Sequence, residues 1–209
     1  MFNFIKTITS QLRSFTACQL CGVDHQIQHS LCADCWQSLP WLKQNIVRQE
    51  MEILVACHYA YPLDQLIQKF KYEHQLNYQL ILAGLFTTLR FPKVQAIVPM
   101  PISESRLIER GFNQSHILAE HLAKLLNVPI WQPILRHAEH SQKGLNRLER
   151  LENINEQFEI DPSNTQKFRR VLILDDVVTT GSSIHALKLK LEELGCSKVY
   201  ATCLACAEH

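Results

Sequence analysis

The stretch VLILDDVVTTGSS, residues 171–183, carries the densest chemistry in the chain. An apolar run, Val171 to Leu174, has strand length and ends in two adjacent carboxylates, Asp175 and Asp176. Val177 and Val178 follow, then Thr179, Thr180, Gly181, Ser182 and Ser183. Ligands of open α/β sheets bind outside the carboxyl ends of the strands, which is where these acids would stand. A helix opened by Thr, Gly and Ser offers backbone N–H donors, hydroxyls and the positive end of its dipole, a setting that suits a phosphate. Gly181 lets the backbone approach such a group closely. Two carboxylates cannot hold the same anion. They suit sugar hydroxyls beside it, with a Mg²⁺ ion neutralising any second phosphate group. The pattern predicts a phosphosugar site. The plainer alternative is a solvated strand end followed by a helix capped by Ser182 or Ser183, against which stands the cost of two acids at the end of a buried strand. No GxxxxGK[ST] phosphate loop occurs.

Cysteines form the second constellation. Of the 8 in the chain, four make two knuckles, Cys18-x2-Cys21 and Cys32-x2-Cys35, with ten residues between them. Two such turns can place four thiolates at the corners of a tetrahedron around Zn²⁺. Gly22 allows the tight backbone after the first pair, and His25 or His29 could replace one thiolate. A redox pair would need a single CxxC beside a βαβ unit, which this spacing fits poorly. A closed four-Cys site predicts a folding role rather than metal chemistry. Cys203-x2-Cys206 falls on an apolar segment and reads as core, while Cys57 and Cys196 read as core or surface singletons.

These groups need a scaffold, and its elements are partly legible. Residues 61–91 read helical, with Leu63, Leu66, Ile67 and Phe70 on one amphipathic stretch and Leu76, Leu80, Leu85 and Leu89 on a second. Ala96-Ile97-Val98 is a short buried strand. Residues 114–126 form a helix with Ile117, Leu118, His121, Leu122 and Leu125 on one face. Ser183–Leu194 is another, stopped by Gly195, and Val199–Ala205 is a last strand. Strand, helix, strand, helix, strand predicts an α/β fold, a parallel β-sheet flanked by helices. Lys plus Arg at 21 against Asp plus Glu at 20 gives no bulk case for a nucleic-acid binder. The start, residues 1–16, carries Phe4, Ile5, Ile8, Leu12 and Phe15 as a helical face that packs on the protein or lies on a membrane surface. It does not read as a signal peptide, and no run has the ~18 apolar residues of a membrane span. A reducing, cytoplasmic setting follows, the inner face of the cytoplasmic membrane being the alternative.

VLILDDVVTTGSS resembles the phosphoribosyl-pyrophosphate (PRPP) signature of type I phosphoribosyltransferases. The resemblance implies that Asp175 and Asp176 bind the ribose hydroxyls, and that the segment from Val178 through Thr179, Thr180, Gly181 and Ser182 to Ser183 holds the 5′-phosphate. Over nearly the whole chain the sequence is similar to a narrower group, the ComF/GntX-type competence proteins, which join an N-terminal four-Cys zinc finger to such a domain. The matching stretches are Leu39-Pro40, Phe70-Lys71-Tyr72, VPMPISESRLIERGFNQ (98–114) and Gln142 to Phe158 with Arg147, Arg150 and Asn153. Phe70 stands where Leu is common, and His140 where Thr is expected. Residues 1–40 are then the N-terminal helix and finger, and 41–209 the phosphoribosyltransferase-like domain.

By resemblance residues 99–114 are the pyrophosphate loop. Arg106 and Arg110 are four apart and could act together on a pyrophosphate, Arg110 as a bidentate fork; Glu109 beside Arg110 also permits an exposed ion-paired turn. Asn113 and Gln114 bind ligand or cap the next helix. Lys71 faces the ligand in this scheme. Arg136, Lys143, Arg147 and Arg150 resemble a hood loop that closes over the ligand, or else form a solvated face balanced by Glu149 and Glu152. Two functions stand. One is an enzyme that binds PRPP with Mg²⁺ and transfers the ribosyl group to a nitrogen nucleophile, with Asp175, Asp176 and Arg110 as its catalytic set. The other is a non-catalytic module for DNA uptake in natural competence, contacting PRPP, single-stranded DNA or another competence protein. The acceptor stays open.

Overall fold

The computed structural model describes residues 16–137 and 157–207. The apolar face expected before residue 16 and the hood residues Lys143, Arg147 and Arg150 lie outside them. The elements run α1 (Ala33–Gln37), β1 (Trp41–Arg48), β2 (Met51–His58), α2 (Leu63–Tyr72), a 3₁₀ turn (Leu76–Tyr78), α3 (Gln79–Phe86), β3 (Ala96–Pro99), α4 (Glu104–Arg110), α5 (Gln114–Leu126), β4 (Ile134–Arg136), β5 (Phe158–Ile160), β6 (Arg170–Val178), α6 (Ser182–Glu193) and β7 (Lys198–Cys206).

Five strands make one sheet in the order β1-β2-β7-β6-β3. β2, β7, β6 and β3 are mutually parallel, and β1 joins antiparallel at the edge. β4 and β5 form a separate antiparallel pair. Alternation along β6 sends Leu172 and Leu174 into a core shared with α2, α3 and α5, and Val171 and Ile173 into a second core with α6. Buried on both faces, the central strands read as continuous apolar runs. This is the expected parallel sheet with helices on both sides.

Two details depart from the sequence reading. Leu76 and Leu80 are exposed, while Leu85 is buried as expected and is joined in the core by Ile81, Leu82 and Phe86. The 3₁₀ turn resets the helical phase just before α3, so spacing counted through it points to the wrong face. Leu125 is likewise exposed, and Ala119 and Ala123 complete the buried face of α5 with Leu118 and Leu122.

The four-Cys segment shares the first core. Cys18, Leu31, Cys32 and Leu39 are buried together with Leu63, Ile67, Leu82 and Leu85. The His29 ring sits on α3 where a Cβ at Gly84 would overlap it, and Thr87 hydrogen-bonds it at 3.4 Å. Trp36 packs between His29, tilted to it, and Trp41, which meets it edge-on, with centroids 5.0 Å apart on each side. Among the described residues no helix is long and apolar enough to cross a membrane.

Candidate functional site

β6 carries both acids to the end of the sheet, and the structure gives each a different neighbour. Asp175 accepts from Ser115 Oγ at 3.2 Å and from the Asp176 N–H at 2.9 Å. It lines a small cleft with Val177 to Ile184. Asp176 is 4% exposed and ion-paired to Lys71 at 2.5 Å. Burial pushes the Asp175 carboxyl up, Asp176 adds to this, and Lys71 and the hydrogen bonds only partly offset them, leaving it near 7. For Lys71, burial lowers affinity for the proton but Asp176 more than restores it, so the ammonium is held above its usual range. The pair therefore has one acid fixed by a cation and one that keeps its proton close to neutrality.

The loop after β6 is built for close approach. Gly181 adopts φ +78° at the N-cap of α6, and this helix opens without a side-chain cap bond. Thr180 Oγ1 lies 3.0 Å from Ser182 Oγ and accepts from the Ser182 N–H at 3.4 Å. Ser182 and Ser183 are thus the first helical residues rather than the cap. The first-turn N–H groups of α6, the hydroxyls and the helix dipole converge where an anion would be stabilised.

β3 pairs with β6, so the segment after β3 lies beside this loop. Arg110 ends α4, donates from Nη1 to Gln114 Oε1 at 3.2 Å and from Nη2 to the Tyr72 hydroxyl at 3.3 Å, and stacks over the Tyr72 ring. Its Nε is buried without a hydrogen-bond partner. Gly111 in the left-handed region ends α4. Asn113 caps α5 by accepting from the His116 N–H at 3.1 Å and donates to the Met100 carbonyl, so both ends of its amide are engaged. Arg106, one turn before Arg110, makes contacts of its own. Beyond α4, a cavity of about 850 Å³ is lined by Ile102, Leu107, Ile108, Ile134, Leu135 and Arg136, among others.

The structure therefore brings Lys71, Asp175, Asp176 and the 178–183 loop together. It adds Ser115 and Tyr72, whose neighbours in sequence, Gln114 and Lys71, are the residues the motifs single out. It also brings in Arg48, at the far end of β1, which donates from Nε to the Thr179 carbonyl at 3.1 Å. No spacing in the sequence links residues 48 and 179.

In the finger, the four Sγ atoms of Cys18, Cys21, Cys32 and Cys35 lie within 4.8 Å of one another, with Cys21 and Cys32 at 3.9 Å. Tetrahedral bonds of about 2.3 Å place sulfurs about 3.8 Å apart, so the set fits such an ion. The N–H groups of Leu20 and Cys35 point at the sulfurs of Cys18 and Cys32, both at 3.4 Å. Burial pushes the Cys18 thiol up, but the surrounding hydrogen bonds outweigh it and hold the thiol at about 6. The other four cysteines, Cys57, Cys196, Cys203 and Cys206, are buried. The carboxylate oxygens of the acid pair are hard donors suited to Mg²⁺.

The sequence matches no family model. It is 31% identical to Competence protein F of Haemophilus influenzae over 207 residues, 93% of this chain and 86% of that protein. It is 27% identical to Competence protein ComFC of Bacillus subtilis, over 89% and 76% of the two chains, and 29% identical to DNA utilization protein YhgH of Escherichia coli, over 90% and 83%. Among solved structures it overlaps glutamine PRPP amidotransferase from B. subtilis at a TM-score of 0.42 and 13% identity, covering 58% of this chain and 25% of that one. Overlap with purine phosphoribosyltransferase from Pyrococcus horikoshii has a TM-score of 0.28 at 18% identity, covering 70% and 73%. Neither overlap is close enough to assign a site. The match to Competence protein F, running along nearly the full length of both chains, places this chain in the competence protein F family.

Proposed function

We propose that the chain binds PRPP with Mg²⁺ in the crevice between the β6 loop and α4, and that it transfers the phosphoribosyl group to a nitrogen acceptor. The observation that carries this reading is the juxtaposition on neighbouring strands of an acid pair, an uncapped Thr-Gly-Ser helix start and an arginine with an orphaned buried Nε. In this scheme Thr179 to Ser183 hold the 5′-phosphate, following Val178 at the strand end. Asp175 accepts from a ribose hydroxyl, and Asp176, fixed by Lys71, shapes the floor beneath it. Arg110, held by Tyr72 and Gln114, faces the departing pyrophosphate, and Arg106 and Asn113 complete that loop. Catalysis then rests on orientation and on stabilising charge as it develops on the leaving group. Bound with PRPP, Mg²⁺ supplies further neutralisation of the pyrophosphate. The cavity beyond α4 offers the acceptor a largely apolar space of the size small ligands occupy.

The four cysteines within residues 1–40 hold a structural Zn²⁺, and residues 41–209 carry the ligand site. Thiols of this kind fit a reducing, cytoplasmic setting. The names of the relatives connect the family with competence and DNA utilization, and they favour a second reading. In that reading the PRPP site serves DNA uptake without turnover, with single-stranded DNA or another competence protein as partner. Calorimetry with PRPP and Mg²⁺, followed by a pyrophosphate-release screen over bases and nucleic acids, separates the two. Release with any acceptor supports the transferase, tight binding without release supports the module, and absence of PRPP binding overturns both.

A further inference from the structure

We infer that Arg48 is a positioning residue for the phosphate-holding loop and supplies the cation that loop lacks. The inference rests on the phosphoribosyl reading of the site. The loop and its flanks, Val177 to Ile184, contain no basic residue, and the cleft they line includes Asp175. Among the described residues that line this cleft, a phosphomonoester dianion would meet a carboxylate and only backbone and hydroxyl donors. Arg48 meets that deficit from the other side of the loop. Its Nε donates to the Thr179 carbonyl at 3.1 Å, and its Nη1 donates to the Val47 carbonyl at 3.0 Å, so the guanidinium is held by two backbone groups. The Arg48 stem packs where a side chain at position 181 would have to go, for a Cβ on Gly181 would come within 2.7 Å of the Arg48 Cβ. Gly181 is thus required twice, once for its left-handed φ and once to admit Arg48.

Arg48 does not line the cleft, so it acts through the loop. It anchors the carbonyl that begins the loop, and it adds a fixed positive charge behind the donors that face the phosphate. A guanidinium stays charged at any physiological pH, so this contribution does not titrate away. An edge-strand arginine with no such role would be satisfied by water at the end of its hairpin. This one bridges 131 positions of sequence to a single carbonyl.

The test titrates the wild type, Arg48→Gln and Arg48→Lys with ribose 5-phosphate and with PRPP plus Mg²⁺, at low and high salt, alongside melting curves. Arg48→Gln should weaken both ligands at least tenfold and by the same factor, since they share the 5′-phosphate, and should flatten the salt dependence, since exposed charge attraction is screened. Arg48→Lys keeps the charge and should recover most of the affinity. Should Arg48→Gln fail to fold, Arg48→Met keeps the stem over Gly181, removes the charge and takes its place. Near-wild-type binding of both ligands by the charge-free variant overturns the inference, as does a loss for PRPP alone, an unchanged salt dependence, or a Lys variant as weak as Gln. A wild type that binds neither ligand overturns the phosphoribosyl reading itself, a result distinguishable from any loss confined to the variants.

Discussion

Asp175 ties the site to the stability of the ligand-free chain, and Asp175→Asn reads that link directly. Burial and the neighbouring Asp176 carry the Asp175 carboxyl from its ordinary 3.8 to about 7. The folded chain therefore keeps a proton over a range where the unfolded chain has already lost it, and stability falls as pH rises from about 4 to about 7. At about 1.36 kcal/mol per pH unit the full interval amounts to about 4 kcal/mol, and the part between pH 5 and 8 to roughly 2–3 kcal/mol. Asn keeps an acceptor for the Ser115 hydroxyl and the Asp176 N–H but has no proton to lose. Its advantage over wild type should be small at pH 5 and grow by those 2–3 kcal/mol at pH 8, a Tm difference of roughly 5–10 °C for a chain of this size. Thermal melting of both proteins across pH 5–8 measures it. Protonation of the cysteine site at low pH affects both and cancels in the difference. Parallel curves, or a variant less stable than wild type at pH 8, would refute the claim that Asp175 is strained toward its neutral form.

Further outcomes follow from the same geometry. Lys71→Met leaves Asp176 buried without its cation, which should lower stability by about 3–5 kcal/mol, and adding Asp176→Asn should recover most of it, as denaturant titration of the single and double variants would show. The purified chain should carry about one Zn²⁺, and Cys21→Ser should release it; because Leu31 and Cys32 share a core with α2 and α3, the melting temperature of the whole chain should fall with the metal. Metal analysis under reducing conditions with calorimetric melting checks both halves. Arg110→Ala should weaken PRPP far more than ribose 5-phosphate, since its charge-assisted bonds, each worth roughly 1.5–3 kcal/mol, go to a group only PRPP carries. Competition titration of the two ligands measures the ratio.

What the sequence made legible was what local pattern encodes. β6, its acids, the Gly181 turn and α6 are consecutive, so apolar run, carboxylates and small residues announce them in order. The paired knuckles are equally local. The β1–β2 hairpin was not seen, because its two-residue turn is made by Gln49 and Glu50 in left-handed conformations instead of the Asn-Gly that signals such turns. With the hairpin went Arg48, whose link to Thr179 depends on tertiary packing alone. Tyr72 was visible only as part of a matching tripeptide. Its place against Arg110 needs α2 and α4 to meet. The acids themselves looked equivalent in sequence, and only the fold separates Asp176, buried under Lys71, from Asp175 on the cleft.

The central claim is that the end of β6 is a PRPP site, and replacing both acids tests it most directly. Asp175→Asn/Asp176→Asn keeps side-chain size and removes two negative charges from a strand whose backbone the sheet holds in place. Titration with PRPP and Mg²⁺ should show the wild type binding and the double variant weaker by at least tenfold, about 1.4 kcal/mol, in a chain that still melts cooperatively although Lys71 has lost its partner. Equal PRPP affinity in the two proteins would contradict the site assignment.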